Sequence, residues 1–99
     1  MSKVQKNEFN ISGKVIHVGM PEHINTSFAK RKLVLEVWRN ERKQEVMFEF
    51  INKNMSLLNQ IREGDWVNVD FMLGGSKSLK TGFGVWFNNC EGISCTKQD

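Results

Sequence analysis

Aromatic rings and basic side chains alternate along one short stretch of the sequence, residues 28–38. In an extended strand, every second side chain points to the same face. One face of this stretch then carries two rings and two ammonium groups, from Phe28, Lys30, Lys32 and Trp38. Flat rings stack on nucleobases and ammonium groups attract phosphates, the two contacts that hold a single nucleic-acid strand. The spacing therefore predicts a nucleic-acid-binding face, with an ordinary solvated strand face as the alternative.

Positive charge is concentrated in the same region. The 99 residues carry 14 basic and 11 acidic side chains, a net charge of +3. Residues 30–43 hold six of the basic side chains and only two of the acidic ones. We predict that phosphate contacts come from this cluster and from a later Gly/Ser-rich segment: Lys30, Arg31, Lys32, Arg39, Arg42, Lys77 and Lys80. For the last two lysines, a solubilising loop is the alternative.

The remaining aromatic residues divide between stacking, core and subunit contact. Trp38 is the first choice for base stacking, with a core or interface tryptophan as its alternative. Trp86 and Phe87 are adjacent and must face opposite ways on a strand. Parity with Cys90 favours Trp86 as the inner ring and Phe87 as the stacking candidate, although parity alone leaves both open. Trp66 begins a strand on the outward side, where a subunit contact is favoured over a stacked base.

The residues that enzymes and metal sites need form no recognisable constellation. His17 and His23 lack the H-x-E, E-x-x-H or cysteine partners of a metal motif. Cys90 and Cys95 lack the C-x-x-C spacing of a zinc knuckle or redox pair, so we expect reduced thiols. The sequence has no glycine-rich phosphate loop, and its acidic residues are scattered. We predict no catalytic residues, no metal, no cofactor and no enzymatic activity.

Alternation of apolar residues predicts five strands and one short helix in a single domain. Strands are predicted for about residues 9–18, 28–38, 43–51, 66–73 and 85–95. A change of apolar parity beside Gly13 predicts a bulge or bend in the first strand. In the fourth strand we expect Leu73 to face inward, and residues 74–82 to form a mobile basic hairpin loop. Residues 1–7 and 96–99 are predicted to be a flexible start and a short polar tail.

The helix is predicted between the third and fourth strands. Met55, Leu58 and Ile61 recur at helical spacing, with Asn52 or Asn54 as the N-cap and Gly64 at the end. Three strands, a helix and two strands is the order of the OB-fold, a five-stranded Greek-key barrel that binds oligonucleotides or oligosaccharides. A meandering sandwich is the competing architecture. The fold class is therefore predicted as all-β with one short helix.

Three segments resemble bacterial and phage single-stranded DNA-binding proteins. Leu35-Glu36-Val37-Trp38-Arg39-Asn40, followed by the apolar strand of residues 46–51, resembles that family's strand with its S-W-R-D-like end and the strand after it. Residues 57–69 are similar to the family's helix, its K-G-x-x-V-x-V turn and its fourth strand. Residues 84–91 are similar to the last strand of small OB domains of this type from Bacteroidetes and their phages. Together the resemblance covers about residues 9–95.

The resemblance implies a protein that binds single-stranded DNA with little sequence preference, in replication, recombination or repair. It also implies a homodimer or larger homo-oligomer in the cytoplasm of a bacterium or a phage-infected host. Trp38 takes the position of a base-stacking tryptophan. Ile51 departs from the pattern, because the family often has an aromatic residue there, and Glu45 and Glu49 add carboxylates to the same face.

Two alternatives stay open. RNA is the alternative nucleic acid. The outward glutamates favour an OB-fold protein interaction module as the alternative function. In either case we expect no membrane partner, since no apolar run exceeds three residues, and no secretion signal at the start.

Overall fold

Strands dominate the fold. The computed structural model describes residues 6–78 and 84–98, and in this range the chain forms five long strands, one two-residue strand and one 3-10 helix. The strands are β1 (Phe9–Val18), β2 (Glu22–His23), β3 (Ala29–Arg39), β4 (Arg42–Ile51), β5 (Trp66–Ser78) and β6 (Val85–Lys97). The 3-10 helix, Asn52–Leu58, lies between β4 and β5. This confirms the predicted all-β class with one short helix.

The five long strands close into a barrel in the order β1-β5-β6-β4-β3, and β2 lies beside β3. The β1–β5, β5–β6 and β3–β4 pairs are antiparallel. The second half of β1 closes the barrel on β3, from the pair Lys14 and Glu36 onward. A single parallel bridge between Glu49 and Glu91 joins β4 to β6. The predicted five-stranded Greek-key OB-fold is confirmed.

β1 pairs with two different strands because it bends. Its register against β3 shifts between Val15 and His17, so the predicted irregularity lies at Ile16 rather than beside Gly13. Gly13 has another role. A Cβ added there would lie 2.8 Å from the backbone oxygen of Glu36. The missing side chain therefore lets β1 cross β3 closely enough to close the barrel.

The barrel interior is filled by apolar side chains from β1, β3, β4 and β5, from the 3-10 helix and from the segment that follows it. These are Val15, Leu33, Leu35, Phe48, Phe50, Leu58, Ile61, Val67 and Val69. Each fully buried large side chain stabilises the fold by roughly 1.5–3 kcal/mol. Every second side chain of β3, β4 and the start of β5 contributes to this core, so these strands separate the core from water.

Two predictions at the far end of the chain are wrong. β5 continues as a strand through Ser78, where a loop was predicted from Gly74, and it pairs with β6 from Val85. Residues 73–78 and 85–90 form a two-stranded ribbon, hereafter the arm. Leu73, predicted to face inward, is 50% exposed, and Trp86, which parity favoured as the inner ring while leaving both orientations open, is 73% exposed. The arm extends past the core, so both of its faces are exposed over residues 74–77 and 85–89. Lys80 and the rest of the predicted loop lie outside the described residues.

The predicted helix exists but differs in type and capping. It is a 3-10 helix that ends at Leu58 rather than at Gly64, and no side chain caps its start. The Asn52 side chain instead accepts a hydrogen bond from the Ala29 backbone N–H at 2.9 Å. Asn52 therefore ties the helix to the start of β3, a long-range contact that local spacing does not encode. Residues 22–23, predicted as loop, form β2 against β3.

Candidate nucleic-acid interface

Two hairpins extend to the same side of the barrel. β4 and β6 run parallel, and within the described part of the chain their backbones pair at Glu49 and Glu91 alone. The residues of β4 before this bridge lead to the β3–β4 turn at Asn40 and Glu41, and those of β6 belong to the arm. Since the strands are parallel, both preceding segments lie on one side of the bridge.

Trp38 stands at the tip of the β3–β4 hairpin among cations. Its side chain is 61% exposed and lies opposite Lys43 across the ladder, next to the pair Arg39 and Arg42. The turn is tight because Asn40 adopts a left-handed conformation, φ 57°. An open concavity lies at this tip. The structure thus brings together three of the predicted residues, Trp38, Arg39 and Arg42.

The arm carries the second group of exposed rings. Trp86 projects from one face, and the Lys77 Nζ lies 5.6 Å from the centre of its ring. Phe87, 57% exposed, projects from the opposite face. A cation over an exposed aromatic ring contributes about 0.5–1 kcal/mol of stability. The contact therefore favours an outward Trp86 with the Lys77 ammonium group over its ring. Trp86 was missed as a surface residue because its cross-strand partner Lys77 was assigned to a loop.

Lysines on the outward face of β3 are paired with carboxylates. Lys30 Nζ lies 2.7 Å from Glu49 and Lys32 Nζ lies 3.8 Å from Glu22. The hydrogen bond that Lys30 donates to Glu49 raises the pKa of Lys30 above its usual value. A phosphate approaching this face must compete with those carboxylates. Lys30 and Lys32 are therefore less available to a phosphate than Arg39 and Arg42, which make no ion pair among the described residues.

Arg31 and Phe28 lie apart from Trp38. The Arg31 side chain donates to the Gly19 carbonyl at 2.8 Å and to the Asn59 side chain at 3.0 Å. It therefore links the segment after β1 to the segment after the 3-10 helix. Phe28 is half-buried just before β3, where its carbonyl accepts from the Ile24 backbone. About ten residues of strand, roughly 33 Å, separate Phe28 from Trp38. The two rings do not form one stacking site.

Metal and thiol chemistry find no support in the described residues. Within residues 6–78 and 84–98, no group of three or more His, Cys, Asp or Glu side chains could hold a metal ion. Cys90 and Cys95 are free, and burial raises the pKa of Cys95 to about 11. Thiols with raised pKa are poor nucleophiles at neutral pH. No helix in this part of the chain is long and apolar enough to cross a membrane.

The barrel and its two hairpins define the SSB-like OB-fold. The Plasmodium falciparum SSB in complex with ssDNA superposes with a TM-score of 0.73 at 16% identity, covering 100% of both chains. The mitochondrial single-stranded DNA binding protein of S. cerevisiae, Rim1, gives a TM-score of 0.76 at 11% identity, covering 97% of this chain and 98% of that one. At these identities the likeness establishes the fold.

The family is established by sequence. Residues 10–94 match the model of a family described as a domain of unknown function, DUF3127, and the chain belongs to that family. Among curated proteins, no match is found.

Proposed function

We propose that this protein binds single-stranded DNA with little sequence preference and so protects it during replication, recombination or repair. The observation that carries the proposal is an exposed tryptophan beside cations on each of two hairpins that extend to the same side of the barrel. Stacking on such rings is worth about 1–3 kcal/mol per base and tolerates any base. The fold likeness to an SSB in complex with ssDNA supports the same ligand.

The strand passes from the tip of the β3–β4 hairpin to the arm. Trp38 and Trp86 stack bases, and Phe87 offers a third ring on the far face of the arm. Phosphates meet the cations of the two hairpins that make no ion pair within residues 6–78 and 84–98: Arg39, Arg42 and Lys77. Lys30 and Lys32 contribute less, since Glu49 and Glu22 already pair with them. Lys80, outside the described residues, remains a candidate for the same role.

Tryptophan substitution with a matched control tests the proposal. Trp38→Ala and Trp86→Ala are each expected to weaken binding to oligo-dT by about 5- to 100-fold, the loss of one stacked base. Ile24→Ala is the control, because Ile24 is 55% exposed but its backbone bonds Phe28, at the end of β3 opposite Trp38. Binding is followed by fluorescence anisotropy of a labelled oligomer. Unchanged affinity in both variants would contradict the proposed face.

A homodimer is the proposed assembly. The first half of β1, up to Gly13, pairs with β5 on one edge, while pairing with β3 begins only at Lys14. Its other edge thus presents free backbone groups that a second copy of β1 can pair with antiparallel about a two-fold axis. Analytical ultracentrifugation should give twice the 11.5 kDa chain mass at micromolar concentrations. A monomer over the whole concentration range would exclude this assembly.

A protein interaction module is the second candidate. The outward face of β3 and β4 favours it, because Glu36 lies directly opposite Glu45 and the lysines around them are paired. Met47, 47% exposed, adds apolar surface beside these charges. Oligo-dT should then leave tryptophan fluorescence unchanged, whereas stacking on Trp38 or Trp86 should quench it.

A further inference from the structure

The arm carries the same pair of residues on each of its faces, a ring and an amide two residues later. Trp86 and Asn88 share one face, and Phe87 and Asn89 share the other, because side chains alternate along β6. All four side chains are exposed. Two residues along a strand span about 7 Å, roughly the width of a base. A base stacked on either ring therefore brings its edge over the neighbouring amide.

Both amides reach across the ribbon over a glycine. A Cβ added at Gly74 would lie 2.6 Å from the Asn89 Oδ1, and one added at Gly75 would lie 3.0 Å from the Asn88 Oδ1. Each asparagine therefore occupies space that a side chain on β5 would fill. The two glycines therefore leave the room in which each amide extends over β5, beside the ring on its own face.

These two amides also have unused hydrogen-bonding capacity. Asn10 and Asn68 bond each other across β1 and β5, and the Asn7 amide bonds the Leu73 backbone in both directions. By contrast, the Asn88 and Asn89 side chains make no hydrogen bond within residues 6–78 and 84–98. Each amide therefore offers two donors and one acceptor to a ligand.

We infer that the arm reads the Watson–Crick edges of unpaired bases, through Asn88 beside Trp86 and Asn89 beside Phe87. The Watson–Crick edge of every base presents a donor next to an acceptor, and an amide presents the complementary pair, which a half-turn of the side chain inverts. The contact thus accepts all four bases. Because duplex pairing occupies these edges, it selects single strands without selecting a sequence. This inference rests on the proposed function and adds how the protein distinguishes single strands from duplex.

A base analogue separates this contact from stacking. An oligomer of N3-methylthymine keeps the ring and the phosphates of oligo-dT but blocks the donor on the Watson–Crick edge. The protein should bind it about 3- to 10-fold more weakly than oligo-dT, the loss expected for one or two hydrogen bonds. The double variant Asn88→Ala/Asn89→Ala should bind both oligomers with equal affinity. Asn54→Ala, which removes an amide from the 3-10 helix, is the matched control and should keep the preference.

The outcomes separate the two proposals. If the protein binds both oligomers equally, or if the double variant keeps the full preference, reading of base edges by the arm is overturned while DNA binding stands. If the protein binds neither oligomer, the proposed function fails and this inference fails with it. Circular dichroism and thermal melting of the double variant establish that it is folded, which we expect because both side chains are exposed and unbonded.

Discussion

Gly92 lets the ring of Phe50 enter the core. A Cβ added at Gly92 would overlap that ring, which is fully buried. Gly92→Ala must therefore displace Phe50 or separate β6 from β4, and we expect it to lower the free energy of unfolding by about 1–3 kcal/mol. Gly19→Ala is the control, because its Cβ would meet only ordinary contacts, 3.4 Å from the Lys32 carbonyl. Urea denaturation of both variants measures the difference, and equal midpoints would refute the packing argument.

Asp70 makes the fold sensitive to acid. Its carboxylate accepts hydrogen bonds from Asn10 at 2.6 Å and Ser94 at 2.7 Å, and these bonds, the first above all, hold its pKa below the usual value. A lowered pKa in the folded state adds stability that is present above about pH 4 and is lost as the pH falls through the folded value. The melting temperature of Asp70→Asn should therefore fall less steeply than that of the unaltered protein as the pH decreases below about 5.

Asp65 makes a second contribution of the same sign. The Arg62 backbone N–H donates to it at 2.8 Å and lowers its pKa, with Lys97 nearby at 3.4 Å. The fall in melting temperature at acid pH should therefore be smaller in Asp70→Asn than in the unaltered protein but still present. It should be smaller again in the Asp65→Asn/Asp70→Asn double variant. An unaltered pH profile in the double variant would show that these bonds do not govern acid stability.

At the scale of elements, the β3–β4 hairpin carries two kinds of cation, arginines at the turn and, further along the strands, lysines paired with carboxylates. Arg39 and Arg42 make no ion pair among the described residues, whereas Lys30 is held by Glu49. Removing one cation that binds a phosphate of a single strand should reduce the slope of log affinity against log salt by about 0.7. We expect that reduction in Arg39→Ala and in Arg42→Ala, and a smaller one in Lys30→Ala.

Glu49→Gln completes this test. Releasing Lys30 from its carboxylate should raise the affinity for oligo-dT and steepen the salt dependence, because one more cation becomes available to phosphate. If the slope of log affinity against log salt falls as much in Lys30→Ala as in Arg42→Ala, then Glu49 does not neutralise Lys30 on the outward face of β3. Salt titrations of the four variants by fluorescence anisotropy provide the comparison.

The elements that face the core were predictable from sequence, and those that do not were missed. Alternation in β3 and β4 predicts strands correctly because Leu33, Leu35 and Phe48 contact the core while their neighbours meet water. The arm has no core to face, and the composition of Gly74 and Gly75 is typical of a turn. Its strands form because β5 and β6 pair with each other beyond the barrel.

The candidate site was predictable only where neighbours in sequence are neighbours in space. Trp38, Arg39 and Arg42 come together because one hairpin turn joins them. Lys30 and Glu49 meet diagonally across β3 and β4, which requires the register and not only the spacing. Arg31 was predicted as a phosphate ligand, but its contacts with Gly19 and Asn59 come from segments distant in the chain.

At the scale of the whole molecule, a closed barrel supports two projecting hairpins. The buried side chains of β1, β3, β4 and β5 all lie in the barrel, and the arm beyond Leu73 adds none of them. The Asn7 side chain marks the boundary, since it bonds the backbone N–H and carbonyl of Leu73 where β1 has not yet begun. The molecule thus consists of a stable barrel and an arm that is held by the pairing of its own two strands.

Hydrogen exchange should resolve this division. The backbone amides of Leu33, Phe48 and Val69 should exchange most slowly, at a rate set by global unfolding, because they lie in the closed core. Amides of residues 74–78 and 85–89 should exchange faster, since local opening of the arm exposes no core side chain. Adding oligo-dT should slow exchange in the arm and at the hairpin tip and leave the core rates unchanged. Equal protection of arm and core in the free protein would contradict the division into a stable barrel and a less stable arm. If oligo-dT does not slow exchange in the arm, the arm is not part of the binding surface.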